Sequence, residues 1–360
     1  MTRIAVFCDG TWNSPNIPEV TNVRKLYQAV ERDPAKGQVA AYFAGIGVND
    51  QFSGNVRKFF NRWGGGAFGW GLDAKVKEAY AFIAQVYQPG DEIYLFGFSR
   101  GGFTARSVAG MIRKVGIVAD TSPDGINAAF KLYRKRGKRN GPDKLHILKA
   151  RRKLSPGFAT SQEDLDWRGD GSALVDIAYI GVWDTVGARG VPVALLGPVA
   201  ALWNMQHKFH DMVLSSLVKS ARHALAVDER RVFYVPAKWD NLGILNKGDR
   251  GPLRPYQQVW FVGNHGVVGG SSVDQRLSVI TLDWVRQGAG RLTLVPGVRF
   301  PLIDPDPLVD AEDIVIKSGP LSKWRDGPHH PHQMHASVEA RVLGRRDYRP
   351  ASLWRLFRGA

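Results

Sequence analysis

A serine, an aspartate and a histidine, which are the side chains that acyl transfer needs, each follow a predicted strand of this sequence. Ser99 comes after the apolar run 93–96, Asp184 after the run 173–183, and His265 after the run 257–262. A serine hydroxyl becomes a good nucleophile when an imidazole takes its proton, and a buried carboxylate holds the imidazole in the required tautomer. Because the carboxyl ends of parallel strands meet at one edge of a sheet, these three side chains are candidates for one site.

Ser99 stands at the centre of a G-F-S-R-G sequence, between a short strand and a helix pattern that stops near Gly116. This strand–turn–helix order is the setting of a nucleophile elbow, in which a tight turn presents the serine hydroxyl. The turn leaves almost no room for side chains two residues before and after the serine, which accounts for Gly97 and Gly101. We expect the Ser99 hydroxyl to be exposed above the positive end of the following helix. The alternative interpretation is an ordinary glycine-rich turn.

Developing oxyanion charge needs donors that are already in position. The backbone N–H of Arg100 is the first candidate, and that of Gly10 or Thr11, in the loop after the first predicted strand, is the second. Asp9 also ends a strand and is a rival to Asp184 for the carboxylate. We favour Asp184 because Asp9 precedes the serine in the chain and lies where the oxyanion loop should be.

Strands alternate with helices along most of the sequence, which predicts an α/β fold. The order Ser, Asp, His is that of α/β-hydrolases. We therefore expect one domain over residues 1–360, an α/β-hydrolase-like, mostly parallel central sheet flanked by helices, with helical insertions. The further expected elements include strands at 3–9, 39–43 and 232–235 and helices at 22–30, 72–87, 278–286 and 336–343.

Two segments allow more than one interpretation. The glycine-rich run 64–69 matches G-x-G-x-x-G, but no strand precedes it, so we read it as a structural element rather than a dinucleotide site. The apolar helical segment 191–217 is either a lid or interfacial surface over the serine, or a pair of core helices.

Composition limits the remaining possibilities. The chain has 360 residues, a formal net charge of +16 and one cysteine, Cys8, so an intramolecular disulfide is excluded. We expect no metal or organic cofactor, no signal peptide and no transmembrane segment. The positive charge favours an acidic partner. The basic block 131–144 contains a single aromatic residue, Tyr133, which is poor for base stacking, so we rank nucleic acid below an anionic membrane surface.

Many short motifs recur in a familiar order: CDGTWN, TNVRKLY, a glycine-rich run before AYAFI, GFSRGGFTAR, VWDTVG, HALAVDERR, VWFVGNHGVVGG and HASVEARV. From about residue 3 to about 353, the sequence resembles the catalytic domain of the type VI secretion lipase effectors of family 1. The resemblance implies an α/β-hydrolase phospholipase with Ser99 as nucleophile, Asp184 as acid and His265 as base. It also implies a protein made in the bacterial cytoplasm and delivered by a type VI secretion route. The family usually has an aspartate two residues after the histidine, where this chain has Val267.

The sequence thus predicts a serine hydrolase that cleaves carboxylic esters, of phospholipase A type, acting on membrane phospholipids as a peripheral protein. The competing interpretation is a non-catalytic or weakly active binding module of an effector system that keeps the fold, and Val267 favours it. Oligomeric state, acyl position and head-group preference are left open.

Overall fold

A parallel six-stranded sheet forms the centre of the protein. The structure, a computed structural model, describes residues 1–10, 20–45, 67–187, 213–232, 234–310 and 322–357. Within these ranges the sheet order is β2-β1-β3-β6-β7-β8, and every neighbouring pair is parallel. The strands are β1 Arg3–Cys8, β2 Gln38–Phe43, β3 Glu92–Phe98, β6 Asp176–Trp183, β7 Ala221–Ala226 and β8 Tyr256–Phe261, and a separate two-stranded sheet pairs β4 Phe158–Ala159 with β5 Ala173–Leu174.

Helices cover both faces of the large sheet. Those in the described residues are α1 Asn22–Ala29, α2 Ala67–Val86, α3 Arg100–Val115, α4 Pro123–Tyr133, α5 Leu145–Leu154, α6 Gln162–Arg168, α7 Leu242–Leu245, α8 His265–Gly269, α9 Ser278–Gly288, α10 Ala336–Gly344 and α11 Trp354–Phe357, with 3-10 turns at Pro34–Lys36, Lys138–Asn140, Pro331–Gln333 and Ala351–Leu353. Among these helices, none is long and apolar enough to cross a membrane.

The alternation of side chains along the strands divides the core into two layers. In β1, Ile4 and Val6 belong to the cluster under α2, α3, α4 and α5, whereas Ala5 and Phe7 belong to the cluster under α1 and α9. Because both faces are covered, β1 and β3 read as continuous apolar runs, as buried parallel strands do. The predicted fold class, a mostly parallel sheet flanked by helices, is confirmed.

The sheet places the carboxyl ends of β1 and β3 side by side at the point where the strand order reverses. From β1 the chain moves outward to β2 and then returns to the other side of β1 to form β3. In open α/β sheets, ligand sites lie outside the carboxyl ends of the strands at such a point. Asp9 and Gly10 follow β1 there, and Ser99 follows β3.

A C-terminal segment, residues 322–357, covers the β7–β8 side of this edge. Ser322 forms a β-bridge with Arg231, and Met334 forms one with Trp260. Farther along, the Tyr348 hydroxyl lies 3.0 Å from both carboxylate oxygens of Asp228, the second residue after β7. The segment thus contacts the loops that follow both strands.

Two predicted strands need correction, and three other predictions fall wholly or partly outside what the described residues can test. No strand forms over the described part of 232–235, and the strand beside β6 is β7 at Ala221–Ala226. The run 173–183 divides between β5 and β6, since Ala173–Leu174 pairs with Phe158–Ala159. Of the possible lid 191–217, residues 191–212 lie outside the described residues, whereas Leu214 and Leu217 at its end are buried in the core. Residues 64–66 of the glycine-rich run also lie outside, and the single-domain organisation stays a prediction.

Candidate active site

Ser99 occupies a sharp turn between β3 and α3. Its backbone has φ 56° and ψ −122°, a positive-φ conformation that residues with a side chain rarely adopt. A Cβ on Gly97 would lie 2.4 Å from the carbonyl oxygen of Gly101, and a Cβ on Gly101 would lie 2.0 Å from that of Cys8. Both positions therefore require glycine. Ser99 is only 7% exposed, so the expectation of an exposed serine is wrong.

His265 links Ser99 to Asp184. Its Nε2 lies 2.9 Å from the Ser99 Oγ, and its Nδ1 lies 2.6 Å from the Asp184 Oδ2. An ionised carboxylate only accepts hydrogen bonds, so the ring proton belongs on Nδ1, and Nε2 is then able to accept the serine proton. The structure thus brings together the three residues that the sequence singled out, from the ends of three different strands.

Opposing effects set the pKa values of this pair. Burial lowers the pKa of His265, as does the charge of Arg325, against the opposite effect of Asp184, and the net result is a pKa below the ordinary value. Burial would raise the pKa of Asp184, but Arg325 and His265 outweigh it and hold that pKa far below its usual range. At neutral pH the site therefore contains a neutral imidazole and an ionised carboxylate, the state that a general base requires.

Backbone geometry at the end of β6 aims the Asp184 side chain. Asp184 has φ 34°, and its N–H donates to the Ala224 carbonyl at 2.7 Å. The next N–H, that of Thr185, donates to Nε2 of His223 at 3.1 Å. Burial lowers the pKa of His223 to about 3, so the ring is neutral and able to accept this bond.

Two aromatic rings confine the imidazole of His265. The ring of Phe98 lies 4.7 Å away in a tilted arrangement, and that of Tyr234 lies 4.6 Å away edge-on. Rings at these distances pack favourably and leave little space for the imidazole to turn.

Glu229 anchors the backbone of His265. Its Oε2 accepts the His265 N–H at 3.1 Å and pairs with Arg231 at 2.7 Å. The carboxylate is fully buried, and its charge is balanced by Arg231, whose guanidinium lies 3.9 Å from the centre of the Tyr234 ring. The residues after β7 thus fix both the backbone and one ring neighbour of His265.

Arg325 binds both oxygens of Asp184. Its two terminal nitrogens lie 2.6 Å from Oδ1 and 2.8 Å from Oδ2, and they also contact the carbonyl oxygens of Ala226 and Tyr234. The Arg325 side chain is 6% exposed. The carboxylate that orients His265 is therefore itself held by a two-pronged ion pair, the strongest kind of hydrogen-bonded charge pair.

Asp9, the rival acid, has other partners. Its Oδ2 accepts from the Thr21 and Tyr42 hydroxyls at 2.7 and 2.6 Å, and its Oδ1 accepts the Gly10 N–H at 2.7 Å. The carboxylate bonded to Nδ1 of His265 is that of Asp184. Because the Gly10 N–H is directed at Asp9, it is a weaker oxyanion candidate than the sequence suggested.

The other two oxyanion candidates are the backbone N–H groups of Thr11 and Arg100. Thr11 lies outside the described residues. Arg100 follows the serine as the first residue of α3, where backbone N–H groups point out of the helix end. Among the described residues, the backbone N–H of Arg100 is therefore the candidate oxyanion donor that the geometry favours.

Residues 2–288 match the family described as "T6SS, Phospholipase effector Tle1-like, catalytic domain". The chain belongs to this family. Residues 289–360, which include Arg325, lie beyond the matched part.

The Tle1-like chain is also similar to individual proteins. It is 29% identical over 235 residues to the uncharacterized yeast protein YEL023C from Saccharomyces cerevisiae, covering 64% of this chain and 31% of that protein. A solved structure of the Tle1 effector bound to the VgrG spike of the type 6 secretion system aligns with a TM-score of 0.36 at 15% identity, covering 75% of this chain and 51% of the other. An uncharacterized protein from Pseudomonas aeruginosa aligns with a TM-score of 0.43 at 14% identity, covering 85% and 49%. The chain thus spans about a third of the yeast relative and about half of each solved chain.

Val267, the position at which the sequence resemblance led us to expect an aspartate, lies in apolar surroundings. It is 2% exposed and packs with Leu225, Val227 and Trp260. Here the position contributes to packing between the end of the sheet and α8. The hydrogen bonds of His265 to Ser99 and Asp184 form with valine in place.

Sequence reasoning missed two residues of this Tle1-like site. The sequence could have pointed to Glu229, because this residue belongs to a run of charged residues, D-E-R-R, directly after a buried strand. No sequence feature points to Arg325, since it lies in a Pro- and His-rich region without strand or helix periodicity. Only the path of residues 322–357 brings it to Asp184.

Proposed function

We propose that this chain is a serine hydrolase that cleaves carboxylic esters, of phospholipase A type, with membrane phospholipids as substrate. The observation that carries the proposal is the continuous hydrogen-bonded path from the Ser99 Oγ through His265 to Asp184, with distances of 2.9 and 2.6 Å. Family membership supports the lipid substrate class. Delivery through a type VI secretion route belongs to the same proposal.

The reaction proceeds in two halves. The Ser99 Oγ attacks the ester carbonyl carbon while its proton passes to Nε2 of His265, and the carbonyl oxygen becomes an oxyanion near the N–H of Arg100. As the C–O bond to the leaving alcohol breaks, His265 returns the proton to that alcohol, which departs as a lysophospholipid. Water then attacks the acyl-enzyme, gives a proton to His265, and releases a fatty acid as Ser99 is reprotonated. Asp184 stabilises the imidazolium in both halves.

The membrane surface is the proposed peripheral partner, because the net charge of +16 favours anionic surfaces. We call the exposed cations between residues 131 and 153 the basic patch: Lys131, Lys135, Lys138, Arg139, Lys144, Lys149, Arg152 and Lys153. The segment that carries this patch packs against the far end of α3, since the buried Arg151 within it donates from Nε to the Lys114 carbonyl at 3.0 Å. At 1.5 Å per residue, that end lies about 20 Å from Ser99. The basic patch would therefore hold the protein at a surface without contributing to the chemical step.

The test is labelling of the intact chain with a fluorophosphonate, which reacts only with an activated serine. We expect labelling of the wild type, loss in Ser99→Ala, and full retention in Ser107→Ala, a serine that is 2% exposed on the same helix. Loss of an activated serine costs on the order of 10⁴- to 10⁶-fold in turnover. A phospholipid panel with product analysis then identifies the acyl position.

Two outcomes would contradict the proposal. Labelling that survives in Ser99→Ala would remove Ser99 from the mechanism. An unlabelled, folded wild type that binds phospholipid vesicles would favour the non-catalytic binding module.

A further inference from the structure

We infer that Arg325 is a positioning residue of the hydrolase site, acting through Asp184 to orient His265. This inference rests on the proposed function for its kinetic meaning, but its geometry stands by itself. Asp184 is fully buried, and the Arg325 side chain that covers it is 6% exposed.

Arg325 determines how the Asp184 carboxylate can rotate. Oδ1 accepts from the Ala226 N–H at 3.0 Å and from Arg325 at 2.6 Å, whereas Oδ2 is shared by His265 at 2.6 Å and Arg325 at 2.8 Å. If the guanidinium is removed, two of these donors to the Asp184 carboxylate remain, the Ala226 N–H and the His265 imidazole. Because the planar fork matches both oxygens, it fixes the plane of the carboxylate and thereby the direction of the bond to His265.

Arg325 also changes the charge that His265 experiences. A carboxylate beside an imidazole favours the protonated ring, and a cation bound to that carboxylate offsets the effect. Burial is the largest cause that lowers the pKa of His265, and Arg325 lowers it further while Asp184 raises it. Removing Arg325 should therefore raise the pKa of His265, so that the base becomes protonated, and inactive, at a higher pH than in the wild type.

Arg325 acts on His265 together with several other groups. The titratable or charged groups that face or neighbour it come from several elements: Ser99 after β3, Asp184 after β6, Glu229, Arg231 and Tyr234 after β7, and Arg325 from the C-terminal segment. Of these, Arg325 alone lies beyond the residues 2–288 that match the family. The C-terminal segment thus supplies a part of the site that the family match does not include.

Two substitutions separate the geometric effect of Arg325 from its charge. Arg325→Gln removes both the fork and the charge, and Arg325→Lys keeps the charge but removes the fork. The first readout is the NMR titration of the His265 imidazole in the full-length chain, which needs no turnover. The second is the pH profile of kcat and KM on a soluble ester.

For Arg325→Gln we expect the pKa of His265 to rise by about one unit, the acidic limb of kcat/KM to move by the same amount, and kcat to fall roughly 10- to 100-fold with little change in KM. For Arg325→Lys we expect the pKa of His265 to stay near that of the wild type while kcat still falls. If Arg325→Gln does not fold, the lysine variant still tests the geometric part.

Arg168→Gln is the matched control. Arg168 is a fully buried arginine whose Nε lies 3.0 Å from Asp164, and Asp164 keeps Arg151 as a second partner when Arg168 is lost. This variant loses a comparable buried pair but should leave the pKa of His265 and the pH profile unchanged. A shift in Arg168→Gln equal to that in Arg325→Gln would overturn the inference, as would an unmoved His265 titration in Arg325→Gln with unchanged kcat. Wild-type kcat in Arg325→Lys would overturn the geometric part. If the wild type hydrolyses no ester, the proposed function fails, and the titration still tests Arg325.

Discussion

Replacing Ser99 with glycine should give a more stable protein than replacing it with alanine, although both variants lose the nucleophile. Ser99 has φ 56° and ψ −122°, a conformation that costs a residue with a Cβ about 1–3 kcal/mol and costs glycine almost nothing. Glycine loses about 0.5–1 kcal/mol through its larger entropy in the unfolded chain. Both variants lose the Ser99–His265 hydrogen bond, so that term cancels. The difference should favour Ser99→Gly by up to about 2.5 kcal/mol.

The assay is chemical unfolding of both variants under reversible conditions, with fluorophosphonate labelling to verify that both are inactive. Ser107 provides the control because it lies within the regular part of α3. There, glycine should be less stable than alanine by about 1 kcal/mol. The sign of the glycine–alanine difference should therefore reverse between positions 99 and 107. If glycine is the less stable residue at both positions, the turn at Ser99 does not carry the backbone strain that we assign to it.

The remaining predictions concern the acid, a buried carboxyl and the basic patch. Asp184→Asn should lower turnover by roughly 10⁴-fold and His265→Ala by roughly 10⁶-fold, measured on a soluble ester; a silent Asp184→Asn beside a crippling Asp9→Asn would reverse the assignment of the acid. Because burial raises the pKa of Asp228 from 3.8 to about 6, the folded state binds more protons than the unfolded state between these values, so the free energy of unfolding should fall as pH rises through that window. The decrease should be about 3 kcal/mol and absent in Asp228→Asn, and parallel stability curves for the two proteins would contradict it. Charge reversal at Lys138, Arg139 and Lys149 in the basic patch should weaken binding to anionic vesicles, and the effect should disappear at high salt. The same variant should keep wild-type activity on the soluble ester, and loss of that activity would show that the patch affects the chemical step.

Local sequence determined the elbow and the identity of its partners. Gly97 and Gly101 flank Ser99 because the turn brings their Cα atoms against neighbouring backbone, and this requirement is visible in five residues of sequence. The chain order of Ser99, Asp184 and His265, each at a strand end, was enough to predict that they meet, since parallel strands end at a common edge. The start of α1 is also set locally, because the side chain of Thr21 accepts from the Arg24 N–H and caps the helix.

Strand pairing at the edges of the pattern was less visible. The β-branched residues at 232–235 suggested a strand, but β7 forms at Ala221–Ala226 instead. The β7 sequence contains Arg222 and His223, which obscured the apolar character of this strand. His223 is nevertheless fully buried, and its ring nitrogens are hydrogen-bonded to Thr185 and Gln258. A polar residue that is satisfied by distant partners cannot be recognised as a core residue from its neighbours in sequence.

Only the tertiary structure decided what surrounds the imidazole. The bond of His265 to Asp184 rather than Asp9 depends on which strand ends face each other, and the burial of Val267 depends on how α8 packs against the end of the sheet. Arg325 lies 141 residues from Asp184 in sequence, and its contact forms because residues 322–357 run along the β7–β8 side of the sheet. A local pattern can specify a turn or a helix because the interacting groups lie within a few residues of each other. An ion pair between distant segments is specified only when the whole chain has folded and removed both charges from water.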